Sequence, residues 1–151
     1  MKEKIFFAAR VAAGAIFVYS GFEKLLSPYQ NFLAVIYGYK VIGGSLAHAA
    51  AIIVPWAELL AGLYLVLGLW TRAASGVLWC LNSIFILAIT QAIVRKLPIQ
   101  DCGCFGEASY KIPLQAVLAM DCALWVVYAL LFFFSNAAEW MSLDRFFKKR
   151  T

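Results

Sequence analysis

Apolar residues along this chain run in long blocks rather than in short alternations: Ile5 to Leu26, Leu46 to Trp70, Ala73 to Val94 and Leu114 to Phe134. A helix needs about 20 mostly apolar residues to cross a hydrocarbon layer of about 30 Å, and each block reaches that length. The pattern therefore predicts an all-α integral membrane protein, a four-helix transmembrane bundle forming one domain over residues 1–151. The first block follows Lys2 and Lys4, as a signal peptide would. It is too long for a signal's apolar stretch, however, and Phe17, Val18 and Tyr19 carry it past Ala12-Ala13 without a convincing cleavage site.

The intervals between blocks carry their own signals. Ser27-Pro28 reads as a helix N-cap with proline at the first position, after which Tyr29, Phe32, Leu33 and Ile36 recur at helical spacing until Gly38. This predicts a short amphipathic helix lying on the membrane surface after the first span. Trp140, Leu143 and Phe147 repeat the pattern at the C-terminus, so a second interfacial helix is expected there. The brief link at Thr71-Arg72 folds the second and third spans into an antiparallel hairpin. Ala9/Ala13 and Ala57/Ala61 place small residues four apart, where helices could approach closely.

Composition supports the membrane reading. Hydrophobic residues make up 64% of the chain and charged residues 14%, against about 25% charged in soluble domains, which excludes an ordinary soluble fold. The net charge of +5 is not gathered into a basic stripe, so nucleic acid is not expected as a partner, and anionic membrane lipid is. Lys2, Lys4, Arg72, Arg145, Lys148, Lys149 and Arg150 fall on one side of the membrane. Lys24, Lys40, Arg95, Lys96 and Lys111 fall on the other, and the bias places both termini in the cytoplasm. In a bacterium this means an inner-membrane protein whose loop between the third and fourth spans faces the oxidising periplasm.

That loop holds the sharpest motif, Asp101-Cys102-Gly103-Cys104-Phe105-Gly106. Gly103 can take the backbone angles that a small Cys102–Cys104 ring would require, and the strain of such a ring would make the bond easy to reduce. Lys96 and Lys111 would favour a thiolate there, while Asp101 and Glu107 would oppose it. Thiol–disulfide exchange is one reading and a local structural disulfide another, although so short a loop removes little chain entropy. A metal site would need further ligands, and Cys102, Cys104 and His48 form the available set. Inside the spans, Cys122 is a candidate relay to the loop pair, whereas Cys80 lies deeper. Glu58, just after Pro55, and Asp121, beside Cys122, are ionisable groups within apolar spans and therefore candidates for proton handling. The competing reading is an intramembrane ion pair in which Lys24 meets Asp121 or Glu58.

The string Gly14-Ala15-Ile16-Phe17-Val18-Tyr19-Ser20-Gly21-Phe22-Glu23-Lys24-Leu25 resembles the first span of the DoxX-like membrane proteins, and Pro55, Glu58, Leu59, Leu60, Gly62 and Gly68 resemble their second. Asp101 to Gly106 resembles the cysteine motif of the MauE, or methylamine-utilisation, branch. The resemblance implies a four-helix protein that supports disulfide formation in periplasmic partners, similar in outline to vitamin K epoxide reductase and the quinone-linked disulfide-forming proteins. It also implies a separate thioredoxin-like or cysteine-rich partner. No cofactor is expected from the motifs themselves. A quinone is the acceptor the resemblance suggests, although the chain departs from the quinone-linked proteins in lacking a Cys-x-x-Cys pair. A non-enzymatic membrane subunit, or a transporter for a small sulfur compound, is the alternative, with Glu58, Lys24 and His48 lining a polar path.

Overall fold

The computed structural model describes residues 2–97 and 113–134. Five helices follow in order: α1 (Lys2–Leu26), α2 (Tyr29–Tyr39), α3 (Gly44–Leu67), α4 (Thr71–Val94) and α5 (Leu114–Phe133), with no strand among the described residues. Four of them, α1, α3, α4 and α5, are long and apolar enough to cross a membrane. Even α5, the shortest at 20 residues, extends about 30 Å. Large apolar side chains such as Ile53, Leu87, Val94 and Phe133 face outward, while Arg10, Lys24, Glu58, Asn82 and Asp121 are buried. The inversion follows from the solvent, since hydrocarbon accepts apolar side chains freely and polar groups must find partners inside the bundle.

Helix α1 packs chiefly on α3, and glycines set their separation. A Cβ on Gly21 would stand 2.7 Å from the Leu59 nitrogen, and one on Gly14 would stand 2.9 Å from the Gly62 carbonyl oxygen. Gly62 meets α1 as closely, 2.9 Å from the Val18 nitrogen. Backbones this near each other leave no room for any side chain at these three positions. Contacts advance along α1 as they retreat along α3, so the pair is antiparallel. The alanines expected to form this seam lie beside it: Ala13 and Ala61 are buried, and Ala9 and Ala57 are half-buried.

Helices α4 and α5 form the second antiparallel pair. Asn82 Nδ2 donates to the Asp121 backbone oxygen at 3.2 Å and Trp125 Nε1 donates to Ser83 Oγ at 3.0 Å. One core joins the two pairs: Phe17 and Ala13 of α1, Leu65 of α3, Leu78 of α4, and Leu124, Tyr128 and Leu131 of α5. Tyr128 also donates its hydroxyl hydrogen to the Ala13 backbone oxygen at 3.0 Å, closing α5 onto α1.

Several boundaries differ from those expected. Helix α3 stops at Leu67 because Gly68 turns left-handed at φ 71°, with its N–H bonded to the Leu65 oxygen and that of Leu69 bonded to the Tyr64 oxygen. The hairpin link is therefore Gly68-Leu69-Trp70, and Thr71 and Arg72 already belong to α4. Ser27 does not cap α2, whose N-cap is Pro28, and the helix runs through Gly38 to end where Lys40 turns left-handed. The apolar face that suggested an interfacial helix packs α2 onto the bundle. Leu33 sits with Ala47 and Ala51 of α3, and Tyr39 sits with Ile89 and Ala92 of α4 and Val117 of α5. The expected C-terminal interfacial helix lies outside the described residues.

Candidate functional site

A buried polar cluster lies where α1, α2, α3 and α4 converge. Lys24 Nζ stands 2.8 and 2.7 Å from Glu58 Oε1 and Oε2, and 3.0 Å from Ser20 Oγ. The Ser20 hydroxyl donates in turn to Glu58 Oε2 at 3.2 Å. Ser20 and Lys24 are one helical turn apart and so share a face of α1. The close seam at Gly21 brings that face against α3, and the lysine can reach the carboxylate with both side chains sealed from solvent.

Aromatic rings cover the rest of the ammonium. Phe32 of α2 and Phe85 of α4 each present a ring with its centroid 5.1 Å from Lys24 Nζ, a cation–π arrangement on two sides. Charge neutralisation by Glu58, hydrogen bonds and ring faces together account for a lysine that is 4% exposed within a membrane bundle. From Phe85 to the end of α4 at Val94 is nine residues, or about 14 Å, so the ion pair lies well inside the span.

Asp121 lies close by. A cavity of about 20 Å³ is lined by Ser20, Glu58 and Asp121 together with Phe85, Met120 and apolar residues of α1 and α5. Such a volume is enough for a single water with polar neighbours. The structure thus brings together Glu58, Lys24 and Asp121, three of the ionisable residues expected to matter, and pairs Lys24 with Glu58.

The other candidates are not gathered there. Cys122 follows Asp121 but is exposed on the outer face of α5, beside Ser83, Trp125 and Val126, because adjacent helical residues point about 100° apart. Cys80 is exposed on α4. His48 is exposed near the start of α3, edge-on to Tyr37 at 6.3 Å. Among the described residues no group of three His, Cys, Asp or Glu could hold a metal ion. Cys102 and Cys104, and with them the Cys102, Cys104 and His48 alternative, lie outside the described residues. By sequence they belong to the connection between α4 and α5.

Three contributors were not singled out for this site from sequence: Ser20, Phe32 and Phe85. For Ser20 the signal was its spacing of four from Lys24. Nothing in the pattern of Phe32 or Phe85 distinguishes them from other apolar positions.

The chain matches the family of methylamine utilisation protein MauE over residues 2–135 and belongs to that family. No curated protein and no solved structure matches it. The matched stretch includes all four membrane-crossing helices and the connection that carries Cys102 and Cys104, and the chain is a multi-pass membrane protein of this family, which is linked to methylamine utilisation.

Proposed function

We propose that this MauE-family protein supports thiol–disulfide exchange at the bacterial inner membrane, with both termini cytoplasmic and the Cys102-Gly103-Cys104 loop periplasmic. The loop pair would cycle between dithiol and disulfide against a thioredoxin-like or cysteine-rich partner. A thiolate attacks a disulfide sulfur, a mixed disulfide forms as the old S–S bond breaks, and the second thiol resolves it, so that two electrons and two protons pass overall. The chain has no Cys-x-x-Cys pair. The reading therefore assigns it no direct quinone reduction, and electrons enter and leave through partner thiols.

The observation that supports this reading is the cavity that Glu58 and Asp121 share inside the bundle. Two carboxyl groups lining one small, otherwise mostly apolar space are suited to receiving and returning the protons that thiol chemistry releases. Exchange on the loop pair does not require Cys122, which faces away from that space. Titration of the purified chain in redox buffers, with thiol alkylation as readout, should show a reversible two-electron couple that disappears in Cys102→Ser and Cys104→Ser.

A second reading is favoured by the closure of the ion pair. Lys24 spends its donors on Ser20 and Glu58 and is sandwiched by two rings, as a structural clamp would be. The chain would then be a non-enzymatic subunit or transporter for a small sulfur compound or an electron-transfer partner. Absence of any redox couple in a folded protein selects this second reading.

A further inference from the structure

A groove of about 260 Å³ runs between α2, α3 and α4 towards the end of the bundle from which the α4–α5 connection departs. Phe32 and Phe85, whose rings cover Lys24, line it together with Val54, Ala88, Tyr39 and Gln91. From Phe85 to Gln91 is six residues along α4, giving a length of about 9 Å parallel to the helix axis. The walls are otherwise apolar and no charged residue lines them. Lys24 is screened from this space by Phe32 and Phe85 and is already neutralised by Glu58.

We infer that this groove binds one apolar chain of an uncharged amphiphile from the bilayer, with its hydrogen-bonding head at Gln91 and its tail against Phe32 and Phe85. Two of its three helices, α3 and α4, are long and apolar enough to cross the membrane, so hydrocarbon has access to the groove along them. Its volume falls below the range of sites for drug-sized molecules and suits a single chain better than a fused ring system. Gln91 supplies both a donor and an acceptor, which matches a hydroxyl or carbonyl head. A charged head would find no counter-charge in the lining and would be costly to seat. The tail would rest on the two rings that cover Lys24, so occupancy would bear directly on the ion pair. This site does not depend on whether the loop cysteines exchange electrons.

The test is photolabelling of the full chain in lipid nanodiscs with three diazirine-bearing probes of equal length: a fatty alcohol, the corresponding hydrocarbon, and the ionised fatty acid. Peptide mapping should place alcohol adducts on the groove segments of α2, α3 and α4, several-fold above either of the other probes. Ala88→Trp should plug the groove and abolish those adducts. Gln91→Leu, a substitution that leaves the groove apolar, should reduce alcohol labelling to the hydrocarbon level even if the tryptophan variant fails to fold. Equal labelling by alcohol and hydrocarbon would mean that ordinary acyl chains fill the space and would overturn the assignment of a head site. Matching labelling by the fatty acid would overturn the uncharged head, and adducts that survive in folded Ala88→Trp would overturn the location.

Discussion

Lys24 of α1 and Glu58 of α3 meet at 2.7 Å with their side chains 1% and 0% exposed, which makes each the counter-charge of the other inside the bundle. Removing one partner leaves an uncompensated charge, typically at a cost of about 3–5 kcal/mol, whereas replacing both with apolar residues of similar size can be close to neutral. Lys24→Met and Glu58→Leu should therefore each lower the thermal unfolding temperature sharply, and the double variant should recover most of the loss. Thermal melts of the four proteins in one detergent form the required cycle. Additive losses in the double variant would contradict the pairing.

The glycine seam predicts a contrast between two conservative substitutions. Gly21→Ala puts a methyl group 2.7 Å from the Leu59 nitrogen and 2.8 Å from the Pro55 carbonyl oxygen, both backbone atoms that cannot step aside. Overpacking of this kind costs about 1–3 kcal/mol. At Gly38 the added methyl meets nothing within 4 Å, so alanine should be neutral or stabilise α2 by about 0.5–1 kcal/mol. Comparing the two melts against the parent decides the point, and equal effects would rule out close backbone contact at Gly21.

The division of labour between the loop cysteines is open to trapping. Cys102 follows the charged Asp101, and Cys104 precedes Phe105-Gly106. Cys102 is therefore expected to meet the external partner, with Cys104 as the resolving thiol. Cys104→Ser should accumulate a reductant-sensitive mixed disulfide on a non-reducing gel, and Cys102→Ser should not. If both variants leave the partner's thiol state unchanged, the exchange reading fails.

Topology can be checked separately. A membrane-impermeant thiol reagent added to spheroplasts should label reduced Cys102 or Cys104. Cys80 should stay unlabelled although it lies on the protein surface, because that surface of α4 belongs to a membrane-crossing helix. Loop labelling that requires broken membranes would reverse the proposed orientation.

The spans were legible in the sequence because crossing a bilayer demands apolar length whatever the neighbours do. The partner of Lys24 was legible only as a choice between Asp121 and Glu58. Choosing requires the axial register of α1 against α3, and that register is set by Gly14, Gly21 and Gly62, whose contacts exist only in three dimensions. Helix α2 shows a different limit. An apolar face at positions 32, 33 and 36 suits a lipid surface and a protein flank equally, and only the burial of Leu33 and Tyr39 shows that α2 packs on the bundle. Asp121 and Cys122 are neighbours in the chain, yet one faces the interior and the other the outside, a separation that depends on how α5 is rotated in the bundle.

The buried ion pair also constrains how the chain enters the bilayer during synthesis. Lys24 emerges from the ribosome 34 residues before its partner Glu58. An unpaired lysine or aspartate at a helix centre costs about 2.5–3.5 kcal/mol to insert, so neither α1 nor α3 is at its best as an isolated passenger of the translocon. Lys24 near the end of α1 can extend towards the interface while it waits, an escape that Glu58, midway along α3, lacks. The order of synthesis suits this asymmetry, because the helix with the harder crossing arrives second, when its counter-charge is already in the membrane.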